Sequence, residues 1–305
     1  MKVKTIVSSG QSNNGQYLVL CSAFFYGLNP FFGKLLFEEG LGAEIVSLYR
    51  FIIPAVLFMF FLRTKKENTA EALRTFILGI ASAIAIYSFF NALQALPAAT
   101  AILIYYTYPV FSVLIGWVIY KKVPSQNALI SATLIVIAAS LTVSPQTIPS
   151  HLLMYVGSCF LAPIVVATQV QYLSQPKQRI PTSNRMAWTT FGHIVVLLPI
   201  AIWSSPEQTL PTSPIGFCAL IGIALFAAAI PQILFMLGAP KSNVDKNALI
   251  GALELVVALL TGTLLLGEKL SQFEITAMVL IVLALFIKQV QKQPIVEVLD
   301  PKIGG

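Results

Sequence analysis

The chain has 305 residues, 57% of them hydrophobic and only 10% charged, with a mean hydropathy of +0.82. Water-soluble domains carry about 25% charged residues, so this composition excludes a soluble globular surface for most of the chain. The net charge of +7 and pI near 9.3 do not point to nucleic acid, because the basic residues lie singly or in pairs between apolar stretches instead of forming one patch.

The polar start MKVKTIVSSGQSNNGQ leads into a full-length apolar stretch, which reads as a retained first helix rather than a cleaved leader. Stretches close to the ~20 residues that cross a ~30 Å hydrocarbon core then follow at 17–37, 43–62, 75–95, 98–120, 127–144, 152–173, 187–203, 215–238, 247–266 and 272–290. They predict an all-α polytopic membrane protein of ten transmembrane helices. The longest connection, 174–186, is polar and carries two prolines, Pro176 and Pro181. With the N-terminus inside, Lys2, Lys4, Arg63, Lys65, Lys66, Arg74, Lys121, Lys122, Lys177, Arg179, Arg185, Lys241, Lys246, Lys288, Lys292 and Lys302 all fall on the inner side. The outer side holds Lys269 alone. Excess basic charge marks cytoplasmic loops, so both termini are expected in the cytoplasm and the protein in a bacterial inner membrane.

A repeat underlies the pattern. Written over residues 256–289, residues 110–143 bring Gly116 onto Gly262 and Ser125-Gln126 onto Ser271-Gln272, with further apolar identities. The expected units are 1–146 and 147–305, each of five helices. An odd number of crossings inserts the second copy from the opposite side, so the repeat is inverted, and such repeats place a substrate cavity near the midplane where the halves meet. Interrupted helices point to it. The first span carries Gly27-Leu28-Asn29-Pro30 at its middle and the sixth carries Ala162-Pro163, with Pro109 in the fourth and Pro231 in the eighth. Each is either an ordinary kink repaired by neighbours or a cavity marker.

Ionisable groups inside spans are functional candidates. Lys34 lies four residues before Glu38, as a snorkelling lysine with a helical acid neighbour would. Arg50 lies roughly 10 Å below the outer surface at 1.5 Å per residue, where it serves either as a structural clamp or as an attractor of anionic groups. Glu254 enters the ninth span to a similar depth from the inner side, and a carboxylate there must be paired, hydrated or protonated. A direct pair with Arg50 looks strained in depth. His193 lies at the depth of Glu254, which leaves either a relay between them or a histidine bonded to a backbone carbonyl. Asn29, Pro30, Tyr87, Asn91, Tyr105, Tyr108, Pro109 and Pro163 are the candidate cavity residues, and Arg50, His193 and Glu254 the candidate coupling residues. For the aromatic ones, plain packing stands beside recognition.

Cys21, Cys159 and Cys218 lie in apolar stretches without metal or redox spacing and read as buried small residues. Trp117, Trp188 and Trp203 sit near span ends, as an interfacial belt would place them. No nucleophile elbow, Walker loop, zinc spacing or dinucleotide turn is present, so neither an enzyme nor a metal or cofactor site is expected.

Asn91-Ala92-Leu93, leading through Pro97-Ala98-Ala99-Thr100-Ala101 to Tyr108-Pro109-Val110-Phe111, resembles helices 3 and 4 of the drug/metabolite transporter superfamily, EamA branch. Leu253-Glu254 with Leu266-Gly267-Glu268-Lys269-Leu270 is similar to its second-repeat pattern, and Arg50 stands where the family usually carries an arginine. The resemblance implies ten helices in two inverted repeats and transport, often export, of small metabolites such as amino acids or related amphiphilic compounds. Two positions depart from the pattern. Leu255 replaces a proline, so the ninth helix should be straighter than the fourth, and Tyr120-Lys121-Lys122 replaces a Gly-Glu turn. The reading is a proton-coupled transporter that alternates access and acts as a monomer on a small-molecule substrate in the bilayer. A passive facilitator, a receptor or scaffold with Arg50 and Glu254 locked together, and an embedded transferase are the alternatives.

Overall fold

A computed structural model of the chain describes residues 13–119, 121, 123–142, 148–173, 180–204, 206–241 and 244–287. Lys2, Lys4, Tyr120, Lys122, Lys177, Arg179 and the tail from Lys288 lie outside the described residues. The described residues are helical and hold no strand. In order they form α1 (Asn13–Gly27), α2 (Asn29–Glu38), α3 (Ala43–Phe58), α4 (Thr69–Ala95), α5 (Ala98–Tyr105), α6 (Tyr108–Val118) and α7 (Gln126–Thr142). Then come α8 (Leu153–Cys159), α9 (Leu161–Leu173), α10 (Thr182–Trp203), α11 (Pro214–Ala224), α12 (Ile230–Gly238), α13 (Val244–Leu265) and α14 (Gln272–Phe286).

Among the described residues, seven helical segments are long and apolar enough to cross a bilayer: Gly15–Glu38, Ala43–Phe61, Lys66–Ala95, Ala98–Val118, Ser150–Gln169, Thr182–Trp203 and Pro214–Gly238. Shorter apolar helices cover Gln126–Leu141, Leu253–Leu265 and Gln272–Ala284. Their outer faces carry large exposed apolar side chains, among them Phe60, Ile202 and Leu264. Such a continuous apolar exterior is tolerable only in lipid, and the protein is an integral, polytopic membrane protein.

Several boundaries move from the sequence expectation. α4 starts at Thr69 and α10 at Thr182, ahead of their apolar stretches, because a polar first turn is stable in the interfacial layer beyond the hydrocarbon. Arg185 is therefore not a loop residue. It is 3% exposed, and its Nη2 donates to Thr182 Oγ1 at 3.2 Å. Cys21 and Cys218 face the exterior, and Cys159 alone of the three is buried. As the missing proline implies, α13 is unbroken.

Packing partners come in matched pairs. α1 lies against α13 as α9 lies against α6, α1 meets α12 as α9 meets α4, and α10 packs on α4 as α11 packs on α3. α7 with α14 and α3 with α10 pair directly. Small and polar residues allow these approaches. Ser22 Oγ donates to Pro231 O at 2.8 Å, and Ser131 Oγ to Ala284 O at 2.9 Å. At the α4–α10 crossing, a Cβ on Gly79 would stand 2.2 Å from Thr189 O, and one on Gly192 would stand 2.5 Å from Phe76 O.

The connections gather at two ends. At one end Lys34 Nζ donates to Leu96 O at 3.0 Å and lies 3.9 Å from Glu268 Oε1, so its partners are distant in sequence and Glu38 is not the acid it pairs with. Glu268 also accepts from Ala98 N–H at 3.1 Å. The Glu39 carboxylate, at the C-terminal end of α2, accepts from Thr212 N–H at 2.9 Å, Thr212 Oγ1 at 3.0 Å and Ser213 N–H at 3.0 Å, and from Ser213 Oγ. These bonds, the Ser213 hydroxyl foremost, hold the Glu39 carboxyl down to about 2. At the opposite end, Trp188 Nε1 donates to Thr64 Oγ1 at 2.8 Å.

Two outcomes follow from these contacts. Gly79→Val forces backbone apart at the α4–α10 crossing, and overpacking of this kind costs about 1–3 kcal/mol or more. A fall of several degrees in Tm in detergent is expected, while Gly157→Ala, whose Cβ meets nothing within 4 Å, leaves Tm in place. The Glu39 carboxyl titrates lower in the folded protein than the ~4.3 of a free glutamate, so its contribution is complete above that value and lost as pH falls through about 2. The Tm difference between wild type and Glu39→Gln should be largest at neutral pH and shrink to nothing as the solution is acidified toward that range.

Candidate functional site

The site is built on interrupted helices. Proline has no N–H, so Pro30 cannot donate to the Tyr26 carbonyl, Pro109 to that of Tyr105, Pro163 to that of Cys159 or Pro231 to that of Ala227. The chain responds at each place. α1 stops at Gly27 and α2 resumes at Asn29, α5 stops at Tyr105 and α6 resumes at Tyr108, α8 stops at Cys159 and α9 resumes at Leu161. Ahead of Pro231, residues Leu225–Ala229 take a π-helical turn. Gly27 sits so close to α13 that a Cβ there would lie 2.8 Å from Glu254 O and 2.7 Å from Val257 Cβ. The missing side chain brings the first break against the turn that carries Glu254.

Between these helices lies a cavity of about 130 Å³. The α1–α2 break contributes Tyr26, Asn29 and Pro30, and α3 contributes Arg50 and Phe51. Ser82, Ala85, Ile86 and Phe89 come from one stripe of α4, and Ile102, Tyr105 and Tyr106 from the end of α5 and its turn. α9 supplies Ala162, Val165, Val166 and Gln169, α10 supplies His193, α12 supplies Gln232, and α13 supplies Glu254 and Ala258.

Of the residues singled out from sequence, Asn29, Pro30, Arg50, Tyr105, His193 and Glu254 meet in this cavity. Tyr87, Asn91, Tyr108, Pro109 and Pro163 are not among its lining residues. Helical rotation accounts for this. The cavity face of α4 is the i, i+3, i+4, i+7 stripe from Ser82, which turns Tyr87 and Asn91 aside. On α9 the same stripe starts at Ala162 and passes by Pro163. Tyr108 belongs instead to an aromatic cluster, its ring 6.1 Å from those of both Tyr105 and Tyr106. Sequence reading passed over Tyr26, Gln232 and Gln169. Gln232 follows Pro231 directly, as Asn29 precedes Pro30, so a polar side chain adjoining a helix-breaking proline was the available signal.

The lining has far more hydrogen-bonding capacity than it uses. Asn29 Oδ1, Arg50 Nε and Nη1, Tyr106 Oη, His193 Nδ1 and Nε2, and Gln232 Oε1 are buried and have no hydrogen-bond partner. In most proteins such groups are satisfied. Here they share one cavity. Arg50, 5% exposed, rests its guanidinium 5.5 Å from the Phe51 ring centre and 6.0 Å from that of Phe90. The His193 ring stacks on Phe51 at 3.8 Å with 5° between planes, and neither of its nitrogens has a hydrogen-bond partner, so neither the backbone-bonded histidine nor a direct His193–Glu254 bond is formed. Glu254 has the Tyr106 hydroxyl and Arg50 as its electrostatic neighbours. The Tyr106 hydroxyl faces the carboxylate without closing a well-aligned hydrogen bond. Arg50 and Glu254 thus face one space without being locked into the clamp a scaffold would need.

Comparison with known proteins places this architecture. The family model for the EamA-like transporter family matches residues 13–144 and 153–288. An uncharacterized transporter of Synechocystis sp. is 25% identical over 205 residues, which make up 65% of this chain and 60% of that protein. The match therefore spans less than two thirds of that relative. A solved crystal structure aligns over 90% of this chain and 95% of its own with a TM-score of 0.65 at 13% identity, a likeness of fold alone.

Arg50 Nε and Nη1 are buried without a hydrogen-bond partner, and a buried charge left uncompensated is destabilising. Arg50→Met is therefore expected to hold or raise Tm while abolishing flux in proteoliposomes. A drop in Tm of several degrees with flux retained would make Arg50 a structural clamp instead.

Proposed function

This chain belongs to the EamA-like transporter family, and from that premise we propose that it is a secondary transporter exporting small polar or amphiphilic metabolites, amino acids among them. The observation that carries the reading is the central cavity, where Asn29, Arg50, Tyr106, His193 and Gln232 keep hydrogen-bonding groups unpartnered. A packed scaffold has no use for such a site, whereas a carrier must replace the water shell of a polar solute partway across the membrane.

The remaining architecture fits the same proposal. Ten transmembrane helices are arranged as two inverted five-helix repeats, 1–146 and 147–305. The two family matches and the matched packing pairs support this division. Both termini lie in the cytoplasm, the membrane is a bacterial inner membrane, and the working unit is the monomer. The halves rock about the cavity to alternate access. The Lys34–Glu268 and Glu39–Ser213 contacts tie the outer loops of one half to those of the other, so they part when that side opens.

Glu254 is the coupling group in this scheme: protonation and deprotonation alter its hold on Arg50 and Tyr106, which biases the two halves. Intramembrane carboxylates in such settings commonly carry protons. In proteoliposomes under an imposed pH gradient, Glu254→Gln should abolish gradient-driven accumulation while counterflow persists. Gradient-driven uptake unchanged by Glu254→Gln between about pH 5.5 and 8, a window that spans the ordinary titration of histidine, would remove Glu254 from the coupling role.

A further inference from the structure

Far from the central cavity, at the Thr64–Trp188 end, a basic turn sits over the line along which α4 packs on α10. We propose that this seam binds an anionic phospholipid, its headgroup held by Arg63, Lys65, Lys66 and Arg74. Basic residues near a membrane boundary are common, and what makes a site here is how firmly the turn is placed. Trp188 Nε1 donates to Thr64 Oγ1 at 2.8 Å, and Asn184 Nδ2 donates to Arg63 O. These bonds pin the turn onto the first two turns of α10. Lys66–Asn68 then form a 3₁₀ turn that runs directly into α4. Arg63, Lys65 and Lys66 are all exposed on it.

Next to the turn lies a wall suited to acyl chains. The rings of Phe76, Trp188 and Phe191 form a closed triangle, their centroids 6.4, 5.6 and 6.3 Å apart. Leu73 and Ile77 share the Phe76 face of α4, at helical spacing, and are 54% and 53% exposed, with Phe191 at 41%. Arg74 is exposed between Leu73 and Ile77. An arginine on such an apolar face reaches its guanidinium to the headgroup layer.

The protein leaves these cations unanswered. The ion pair found among the described residues, Lys34–Glu268, is at the opposite end. Arg63, Lys65, Lys66 and Arg74 make none there, although Glu67 and Glu71 lie close in sequence. Glu71 has Arg185 as an electrostatic neighbour, and the buried Arg185 Nε still lacks a hydrogen-bond partner. A lipid phosphate supplies the acceptor oxygens that guanidinium and ammonium groups bind, and its acyl chains match the exposed apolar wall. A zwitterionic lipid carries its own cation, and free phosphate has nothing to lay on Phe191 and Ile77. A lipid seated there touches both α4 and α10 and braces their crossing.

The test is native mass spectrometry of the full-length protein in detergent, titrated with equal amounts of phosphatidylglycerol and phosphatidylcholine. Retained phosphatidylglycerol should exceed phosphatidylcholine by about tenfold or more, since each basic residue near such a headgroup contributes roughly fivefold. Combining Arg63→Gln, Lys65→Gln and Arg74→Gln should bring the ratio close to one. Removing as much charge through Lys121→Gln, Lys241→Gln and Lys269→Gln should leave it in place. Thr64→Val keeps every charge but unpins the turn, and should lower the ratio. Inorganic phosphate in excess should not displace the lipid. If the first triple variant fails to fold, Arg74→Gln alone serves, with an expected fall of about fivefold.

Equal retention of the two lipids, an equal fall in both triple variants, indifference to Thr64→Val, or displacement by phosphate overturns the lipid site. Transport plays no part in this readout, so its failure leaves the transporter reading where it stands.

Discussion

Hydrocarbon offers no hydrogen bonds, so every backbone N–H and C=O of a membrane span must find its partner within the protein. A regular helix meets this demand locally, and a broken one does not. The rest of this structure turns on where the chain breaks the rule. Prolines at positions 30, 109, 163 and 231 each deprive a carbonyl four residues earlier of its donor. The interruptions at Gly27–Asn29, Tyr105–Tyr108 and Leu225–Ala229 converge on one interior space instead of scattering over the lipid face. There, the unpartnered polar groups of Asn29, Arg50, Tyr106, His193 and Gln232 gather.

The same convergence accounts for the charges. A lone guanidinium or carboxylate in the hydrocarbon region is costly. Arg50 and Glu254 are borne because they face a common cavity, with the Phe51 and Phe90 rings beneath the guanidinium and the Tyr106 hydroxyl before the carboxylate. They are close enough to influence each other and too loosely joined to be a static pair. The latches at the loops are built differently. Glu39 receives both hydroxyl and backbone donors from Thr212 and Ser213, a closed hydrogen-bond set. Satisfied hydrogen bonding thus lies at the loops of one end, and unmet bonding capacity in the interior.

The breaks at Pro30 and Pro109 were legible in the sequence because proline acts on its own helix, needing no knowledge of neighbours. Depth was legible too: rise per residue placed Arg50, His193 and Glu254 inside the span, and all three reach the cavity. Direction was harder to read. Lys34 and Glu38 have ideal helical spacing, yet Lys34 turns to Leu96 and Glu268, which only the packing of distant segments could bring there. On α4, Tyr87 and Asn91 were both expected at the cavity. The rotation imposed by the close α4–α10 crossing at Gly79 and Gly192 sends Ile86 and Phe89 to the cavity and Tyr87 and Asn91 elsewhere.

By itself, then, the sequence determined the solvent, the all-helical class, the family likeness and the places where helices must yield, because composition and proline chemistry are properties of single residues and short windows. The tertiary structure alone decided which faces of those helices meet. It put Tyr26, Tyr106 and Gln232 beside Arg50 and Glu254, and it joined Lys34 to a carboxylate more than two hundred residues away. The physical reason is that a helix presents all its sides equally until close approaches such as Gly27 against Val257 and Gly79 against Thr189 fix its rotation.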